Sequence, residues 1–493
     1  MANSSNRSLA EVIGKVEARV PGLISNASQL AAVDVEVSAV TQDSREVTDG
    51  AVFAAIAGSS VDGHEFVDTA LASGAVAVLV DESFDTTGKN QDAVFITSAD
   101  TAKATGHIAA ALLDYPTDDV RLVAVTGTNG KTSIVTIIEH LVNQSGGVGA
   151  SMGTLTGSLT TAASPQFHQA LADMRERGIT VVAAEVSSHA LDQKRIAGAD
   201  VSVAVFTNLT QDHLDYHADM DEYFEAKALL FSNDVGAHSV IDVSDEYGQA
   251  LARRVEETKG PEVQLREIEG NAIAAAGTLG QSSSTFQWRD QEIVLPLGGS
   301  FSVNNAVLAA EAAVLLGFDV DDVAGALESV PQIPGRFESV QQGQPFAVVV
   351  DYSHTPASVA AAIESARELA DGRVIIVFGA GGDRDQGKRP LMAQAADAAD
   401  VVYVTSDNPR TEDPAKIIDE VITGSSTPNK VHRIVDRAEA IGAAISGALP
   451  GDVVVIAGKG HENYQIVGTT RSEFDDRSHA RAALALAGWE NAS

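Results

Sequence analysis

The stretch Val120-Arg121-Leu122-Val123-Ala124-Val125-Thr126-Gly127-Thr128-Asn129-Gly130-Lys131-Thr132 decides how the chain is read. Leu122 to Val125 is a short apolar run rich in β-branched residues, which predicts a buried parallel strand. A Gly-rich turn follows, and Ser133 to Gln144 has the apolar spacing of an amphipathic helix. Strand, turn and helix in that order form a cradle for a polyphosphate. Gly127 and Gly130, with Thr128 and Asn129 between them, let backbone N–H groups approach an anion at the positive end of the helix. Lys131 is placed to reach the β- and γ-phosphates, and the Thr132 hydroxyl to ligate Mg²⁺. The common form of this loop has a glycine six positions before the lysine. Val125 stands there, so the loop is a shortened variant.

Outward from this loop the chain runs to 493 residues, too many for one core; about 150 residues per domain predicts three. Apolar content of 44% with 42 Gly and 14 Pro fits globular domains. Cysteine is absent, which excludes disulfides, thiolate metal sites and a cysteine nucleophile, and fits a reducing cytosol. The N-terminal segment has no apolar core of a signal peptide, and no run approaches the ~20 apolar residues of a membrane span. The expected location is cytoplasmic. With 33 basic against 68 acidic residues the net charge is −35, a field that repels nucleic acid and anionic membranes. An anionic ligand therefore needs locally placed Lys, Arg and helix N-termini. A monomer acting on small molecules is expected.

The expected fold is α/β in three domains. Residues 1–113 form a small α/β domain, 114–332 a central P-loop ATPase-like domain on a parallel sheet, and 333–493 a Rossmann-like domain. In the first, strands are expected at Ala51 to Ile56, Val76 to Val80 and Val94 to Ile96, with a helix at Phe66 to Ser73. Its notable stretch, Thr41-Gln42-Asp43-Ser44-Arg45, reads by itself as a surface turn. A polar, Pro-containing linker, Asp114 to Asp119, leads into the central domain, whose further strands are expected at Val181 to Val186, Val201 to Phe206 and Ser239 to Ile241. Helical patterns at Pro165 to Glu176 and Tyr223 to Phe231 lie between them. Ligands of such sheets sit beyond the C-terminal strand ends, where Glu185 to His189 and Thr207 to His217 fall. Carboxylate and hydroxyl oxygens there suit Mg²⁺, although a strand-end Glu alone reads as a solvated end and Asp-His as a helix cap. Lys227, in an Ala/Leu helix, reads as a surface lysine.

A second linker at Val330 to Arg336 precedes strands expected at Ala347 to Val350, Val374 to Phe378, Val401 to Thr405, His432 to Ile434 and Val453 to Ile456. Polar loops follow four of these: Asp351 to Pro356, Gly379 to Asp385, Ser406 to Arg410 and Gly458 to Glu462. Four such loops on one rim imply a binding face. The Gly-rich one lacks the spacing of a dinucleotide fingerprint.

Eight segments in order, T-x-D-S-R, T-G-T-N-G-K-T, E-V-S-S-H-A-L, F-T-N-L-x-x-D-H-L-D-Y-H, D-Y-S-H-T-P, G-G-D-R-D-x-G-K-R-P-L-M, D-N-P-R-T-E-D-P and G-K-G-H-E, resemble the Mur ligases over essentially the whole chain, and within them the MurE type. The resemblance implies ATP-dependent addition of an amino acid to the D-Glu side-chain carboxylate of UDP-N-acetylmuramoyl-L-Ala-D-Glu through an acyl phosphate, in peptidoglycan synthesis. It implies catalytic roles for Lys131, Glu185, His213 and Lys227, with Mg²⁺ held by Thr132, Glu185, His213 and a Lys227 carbamylated by CO₂. Asn305, Arg336, Asp351 and His354 match the ATP side, beside the loop Gly127 to Thr132. Ser44, Thr160, Thr161, Ser187, Gln193 and Arg195 match the UDP-muramoyl dipeptide side. Arg384, Asp407, Asn408, Arg410, Gly458 and Glu462 match the amino-acid side.

D-N-P-R goes with meso-diaminopimelate in the family, and variants lacking the Arg go with L-lysine. A guanidinium can pair bidentately with the distal carboxylate that lysine lacks. A structural Arg capping a helix, with lysine or another diamine as substrate, is the alternative at that position. Three departures from the family pattern stand out: Ala162 where T-T-P is usual beside a shortened Gly149 to Leu159, Ser302 for the first Asn of F-N-V-x-N, and Gln386 in the D-R-D-K run. The rival readings are a sister ligase, of MurF or folylpolyglutamate synthetase type, and a non-catalytic nucleotide-binding scaffold. Thr132-Ser133 after Lys131 departs from the G-K-G-S of the folylpolyglutamate enzymes, and the residues of a second metal bridge argue against the scaffold.

Overall fold

A computed structural model describes residues 6–489 apart from 59–60, 88, 90–92, 158, 233–237, 259–263, 269–275 and 279–280. The phosphate loop grows from the middle of a six-stranded parallel sheet. Its strands lie in the order Leu265–Ile268, His238–Asp242, Val201–Phe206, Arg121–Thr126, Val181–Glu185 and Gly149–Met152. Successive side chains of a strand face opposite ways. Val123 and Val125 accordingly enter one core, with the helices Lys131–Gln144 and Ser300–Leu315, while Leu122 and Ala124 enter the other, with Phe167 and Leu171. That two-sided burial is why the strand is apolar at every position. Helix Lys131–Gln144 buries Ile134, Ile137, Ile138 and Leu141, a three- and four-residue spacing worth about 1.5–3 kcal/mol per side chain.

From Arg121–Thr126 the chain goes to one edge at Gly149–Met152, returns to Val181–Glu185, and then crosses to the other side at Val201–Phe206. The reversal flanks the phosphate-loop strand and opens a crevice at its C-terminal end, the usual ligand position of such a sheet.

The N-terminal unit has four parallel strands, Ala39–Thr41, Ala51–Ala54, Ala77–Asp81 and Val94–Ser98. The helical stretch expected at Phe66 to Ser73 divides into a 3₁₀ turn, Gly63–Phe66, and a helix, Val67–Ala72. Helix Thr101–Leu112 packs this unit on the central one so closely that a Cβ at Gly106 would lie 2.2 Å from the Ala197 carbonyl oxygen. The polar linker is an ordered corner: Asp114 and Tyr115 adopt φ of 55° and 45° before the 3₁₀ turn Pro116–Asp118. The buried Tyr115 ring lies 3.8 Å from the Arg19 guanidinium.

The C-terminal sheet runs Glu338–Ser339, Ala347–Asp351, Val453–Ala457, Val374–Phe378, Val401–Val404 and Val431–Arg433, parallel except for its first, antiparallel edge. Several elements escape the sequence reading, among them the strands Ala39–Thr41, Gly149–Met152 and Leu265–Ile268. An antiparallel sheet, Ala276–Thr278, Gln281–Trp288 and Gln291–Leu295, sends Phe286, Trp288, Ile293 and Leu295 into the core under helix Ser300–Leu315. A hairpin, Tyr464–Val467 with Thr470–Glu473, stands beside the D-N-P-R loop. No helix among the described residues is long and apolar enough to cross a membrane.

Candidate active site

A cavity of about 440 Å³ opens above the phosphate loop, walled by the central and C-terminal units. Its lining brings together Thr128 to Thr132, Thr160, Glu185, His213, Asn305, Arg336, Asp351 and His354. Glycine is required at both loop positions. Gly127 has φ 147° and a Cβ there would lie 1.8 Å from Thr207 Oγ1; Gly130 has φ 90° and a Cβ would lie 2.5 Å from Asn305 Oδ1. The Lys131 ammonium is folded onto its own loop, donating to the carbonyls of Gly127 at 2.8 Å and Thr128 at 2.9 Å.

Lys227 is 1% exposed, which overturns its reading as a surface lysine. Helix Met220–Ala228 turns this residue inward, with the ammonium 2.9 Å from the Gly127 carbonyl and 4.5 Å from the Tyr223 ring centre. An Ala/Leu helix has no sequence mark for which face meets the phosphate loop. Burial, and then the nearby Lys131 charge, hold the Lys227 pKa well below the usual lysine range. A neutral amine is what CO₂ adds to.

Glu185 ends its strand 2% exposed, with the Thr154 N–H 2.8 Å from Oε1 and the Thr154 hydroxyl 3.2 Å from Oε2. It is a buried carboxylate rather than a solvated strand end. A Cβ at Gly153 would lie 2.3 Å from Oε1, so the shortened segment after Gly149–Met152 passes directly over the carboxylate. Next to His213 the structure adds a residue that reads from sequence as part of a helix cap. Asp212 lines the cavity, 3.6 Å from His213, 3.9 Å from His354 and 3.7 Å from Lys388. Burial pushes its carboxyl up, but these three groups together hold it down, to about 2. No helix begins there, and His213 has φ 56°. The Asp-His pair was legible; its direction was not.

From the C-terminal side Arg336 donates to the Thr132 hydroxyl at 2.9 Å, and its guanidinium lies 4.5 Å from the Tyr352 ring centre. It sits between two residues in the left-handed region, Gly335 at φ 65° and Phe337 at 47°. A Cβ on Gly335 would lie 2.0 Å from the His461 nitrogen. Asp351 accepts the Phe337 N–H at 2.8 Å on one oxygen and the Ser353 N–H at 2.8 Å on the other. Its carboxylate therefore holds the segment that delivers Arg336. Ser302, the departure on the adenine side, is buried and donates to the Gly298 carbonyl at 2.8 Å.

The residues matched to the muramoyl side form a second connected set. Thr161 Oγ1 donates to the Glu185 carbonyl at 2.8 Å and accepts the Ser187 N–H at 3.1 Å. Arg195 donates to the Thr161 carbonyl at 2.8 Å and to Gln193 Oε1 at 2.8 Å. Ser44 stands apart, opening the 3₁₀ turn Ser44–Glu46, which meets the central unit through Gln166 and Glu46 at 3.4 Å. On the amino-acid side, Arg410 has φ 51° and donates to the Gly382 carbonyl at 2.6 Å. Gly458 leaves room for Asp407, since a Cβ there would lie 2.8 Å from Oδ2. Asn408 donates to Glu462 at 3.0 Å, and Arg384 is exposed. Among the described residues no cluster of three or more His, Asp or Glu is ready for a metal. The donors for a hard cation are single carboxylates and a hydroxyl around the loop, which fits Mg²⁺ completed by phosphate oxygens and water.

Fold and site together define a phosphate-loop nucleotide-dependent enzyme of three α/β units, closed by an arginine from the third. Family models agree along the chain: the Mur ligase catalytic domain matches residues 36–113, the Mur ligase middle domain 125–313, and the Mur ligase glutamate ligase domain 335–460. A protein of Trichormus variabilis named UDP-N-acetylmuramoyl-L-alanyl-D-glutamate--2,6-diaminopimelate ligase is 41% identical over 474 residues, 92% of this chain and 95% of that one. A solved structure of a ligase of the same name is 32% identical with a TM-score of 0.64, covering 96% of this chain and 99% of that one. The MurF ligase of Thermotoga maritima, solved with ADP, shares the fold at 20% identity and a TM-score of 0.58, covering 85% of this chain and 93% of that one. The chain belongs to the Mur ligase family and is an ATP-dependent ligase forming a carbon–nitrogen bond.

Proposed function

We propose that this ligase joins meso-diaminopimelate to the D-Glu side-chain carboxylate of UDP-N-acetylmuramoyl-L-Ala-D-Glu, as a cytoplasmic monomer making a peptidoglycan precursor. The observation that carries the ligase chemistry is the shared cavity, where the phosphate loop and Glu185 face Arg336 and His354. The substrate carboxylate oxygen attacks the γ-phosphorus of ATP, the β–γ bridging P–O bond breaks, and ADP leaves. The amino nitrogen then attacks the acyl carbon; phosphate leaves with the C–O electron pair and the amine proton is lost. Little covalent help is needed, so positioning and charge neutralisation dominate. Lys131 and Arg336 supply fixed cations at the transferring phosphoryl group, and closure around Arg336 excludes water that would hydrolyse the acyl phosphate.

Thr132, Glu185, His213 and a carbamylated Lys227 would hold Mg²⁺, whose chemistry is to neutralise phosphate charge when bound. We assign the amino-acid site to Arg384, Asp407, Asn408, Arg410, Gly458 and Glu462 in residues 333–493, and the dipeptide site to Ser44, Thr160, Thr161, Ser187, Gln193 and Arg195. ATP is assigned to residues 114–332 together with Arg336, Asp351 and His354. The test is phosphate release from ATP with the muramoyl dipeptide and a panel of diaminopimelate, lysine and ornithine. Diaminopimelate should give the highest kcat/KM; no release with any of the three would refute the ligase reading.

A further inference from the structure

Behind the D-N-P-R loop lies a buried charge cluster that the reaction scheme leaves unused. Lys459, the lysine of G-K-G-H-E, is 0% exposed, as is Asp476, while Arg437 is 1% exposed. Arg437 and Asp476 pair at 2.6 Å, and Arg437 also donates to the Ala457 carbonyl at 2.9 Å. Above them Lys459 reaches Asn408 Oδ1 at 3.0 Å, the Tyr464 carbonyl at 2.8 Å, Asp407 at 3.4 Å and Glu462 at 3.8 Å. The ammonium thus has a partner in each direction.

Asn408 Oδ1 accepts twice, from Lys459 and from the Ile466 N–H at 3.0 Å. An amide oxygen between two donors cannot exchange places with the amide NH₂, which would face them donor to donor. The Asn408 NH₂ is therefore turned toward Glu462, 3.0 Å away. The hairpin strand Tyr464–Val467 contributes to the same alignment, because Gln465 donates to the Asp407 carbonyl at 2.7 Å and Arg410 N–H to the Ile466 carbonyl at 3.1 Å.

With its carboxylates ionised, the cluster sets Asp407, Glu462 and Asp476 against Lys459 and Arg437, one net negative charge. A substrate ammonium beside Glu462 completes the balance. Without Lys459 the Asp407 and Glu462 carboxylates lose the cation that reaches both, and Glu462 is driven further in the direction that burial and then Asp407 already push it, toward its neutral form.

We propose that Lys459 is a positioning residue for amino-acid selection: it fixes which face of the Asn408 amide meets the substrate and keeps Glu462 an anion for the substrate ammonium. The inference rests on the assignment of Asn408 and Glu462 to the amino-acid site. It makes Lys459 a specificity element that touches no substrate.

The test uses the full-length enzyme with Lys459→Met and Lys459→Gln. Met removes both donor and charge; Gln keeps a donor for Asn408 without the charge. Losing a buried charge-assisted hydrogen bond predicts a KM for diaminopimelate raised roughly 10- to 100-fold in Lys459→Met, with the KM values for ATP and the muramoyl dipeptide within about twofold of wild type. Lys459→Gln should fall between the two proteins. Equal rises in all three KM values, or an unchanged KM for diaminopimelate in a folded Lys459→Met, would overturn the proposal. A wild-type enzyme that uses no diamino acid would instead refute the reading of the site itself. If Lys459→Met does not fold, Lys459→Gln decides alone: its KM for diaminopimelate must rise selectively.

Discussion

Replacing Lys227 by Met separates its chemical role from its structural one. The side chains are close in length, and Met leaves a filled site, whereas Ala would open a cavity worth about 2–5 kcal/mol. Among the described residues one hydrogen bond is lost, the 2.9 Å contact to the Gly127 carbonyl, and that oxygen keeps Lys131 at 2.8 Å. A net hydrogen bond contributes about 1 kcal/mol, and burying the amine opposes folding by a similar amount, so stability should shift by less than about 2 kcal/mol. Activity should behave differently. If the buried amine carries a carbamate in the phosphoryl-transfer site, Met removes that anion. A loss of about a thousandfold in kcat corresponds to roughly 4 kcal/mol of transition-state stabilisation. The measurement pairs a thermal melt with phosphate release under saturating substrates, run in CO₂-depleted and bicarbonate-supplemented buffer. Wild type should lose activity on depletion and regain it with bicarbonate; Lys227→Met should stay inactive in both. A folded Lys227→Met retaining a third of wild-type kcat would refute the carbamate argument.

Arg410→Ala should raise KM for diaminopimelate about 100-fold while changing any turnover with lysine little, read from the two kcat/KM values; equal losses would assign Arg410 to loop structure. Gly335→Ala should lower kcat at least tenfold with ADP affinity kept, because φ 65° and a Cβ 2.0 Å from the His461 backbone nitrogen must displace Arg336 from Thr132 and from the transferring phosphoryl group; calorimetric ADP titration beside the rate assay checks it. Asp397 supplies the pH test. Burial raises its carboxyl, but bonds from Ser425, Ser426 and Thr427 outweigh this and hold it down at about 2. A depressed carboxylate stabilises the fold fully above its ordinary value near 3.8 and loses that contribution as pH falls toward 2. The melting-temperature gap between wild type and Asp397→Asn should be constant at pH 5–8 and narrow below about pH 4.

Sequence alone determined the parallel sheets, the phosphate loop and the order of the polar strand-end loops. These follow from local periodicity: a strand buried on both faces must be apolar throughout, and a loop that wraps a phosphate must carry Gly where a Cβ has no room. Loop spacing also singled out Lys131, whereas Glu185, Arg336 and Arg410 took their roles only through the resemblance to the Mur ligases. The Ser-rich strand Gln281–Trp288 had no such mark, since its pairing depends on Gln291–Leu295 and on the apolar underside of helix Ser300–Leu315. Tertiary structure decided what each polar residue faces. Lys227 went inward because helix Met220–Ala228 docks on the phosphate loop, and Asp212 became a cavity anion because His354 and Lys388 approach from another unit. Lys459 and Glu462 joined Asn408 because two strand-end loops meet at one sheet rim. A side chain's type is local chemistry, but its burial, its charge and its partners belong to distant segments of the chain.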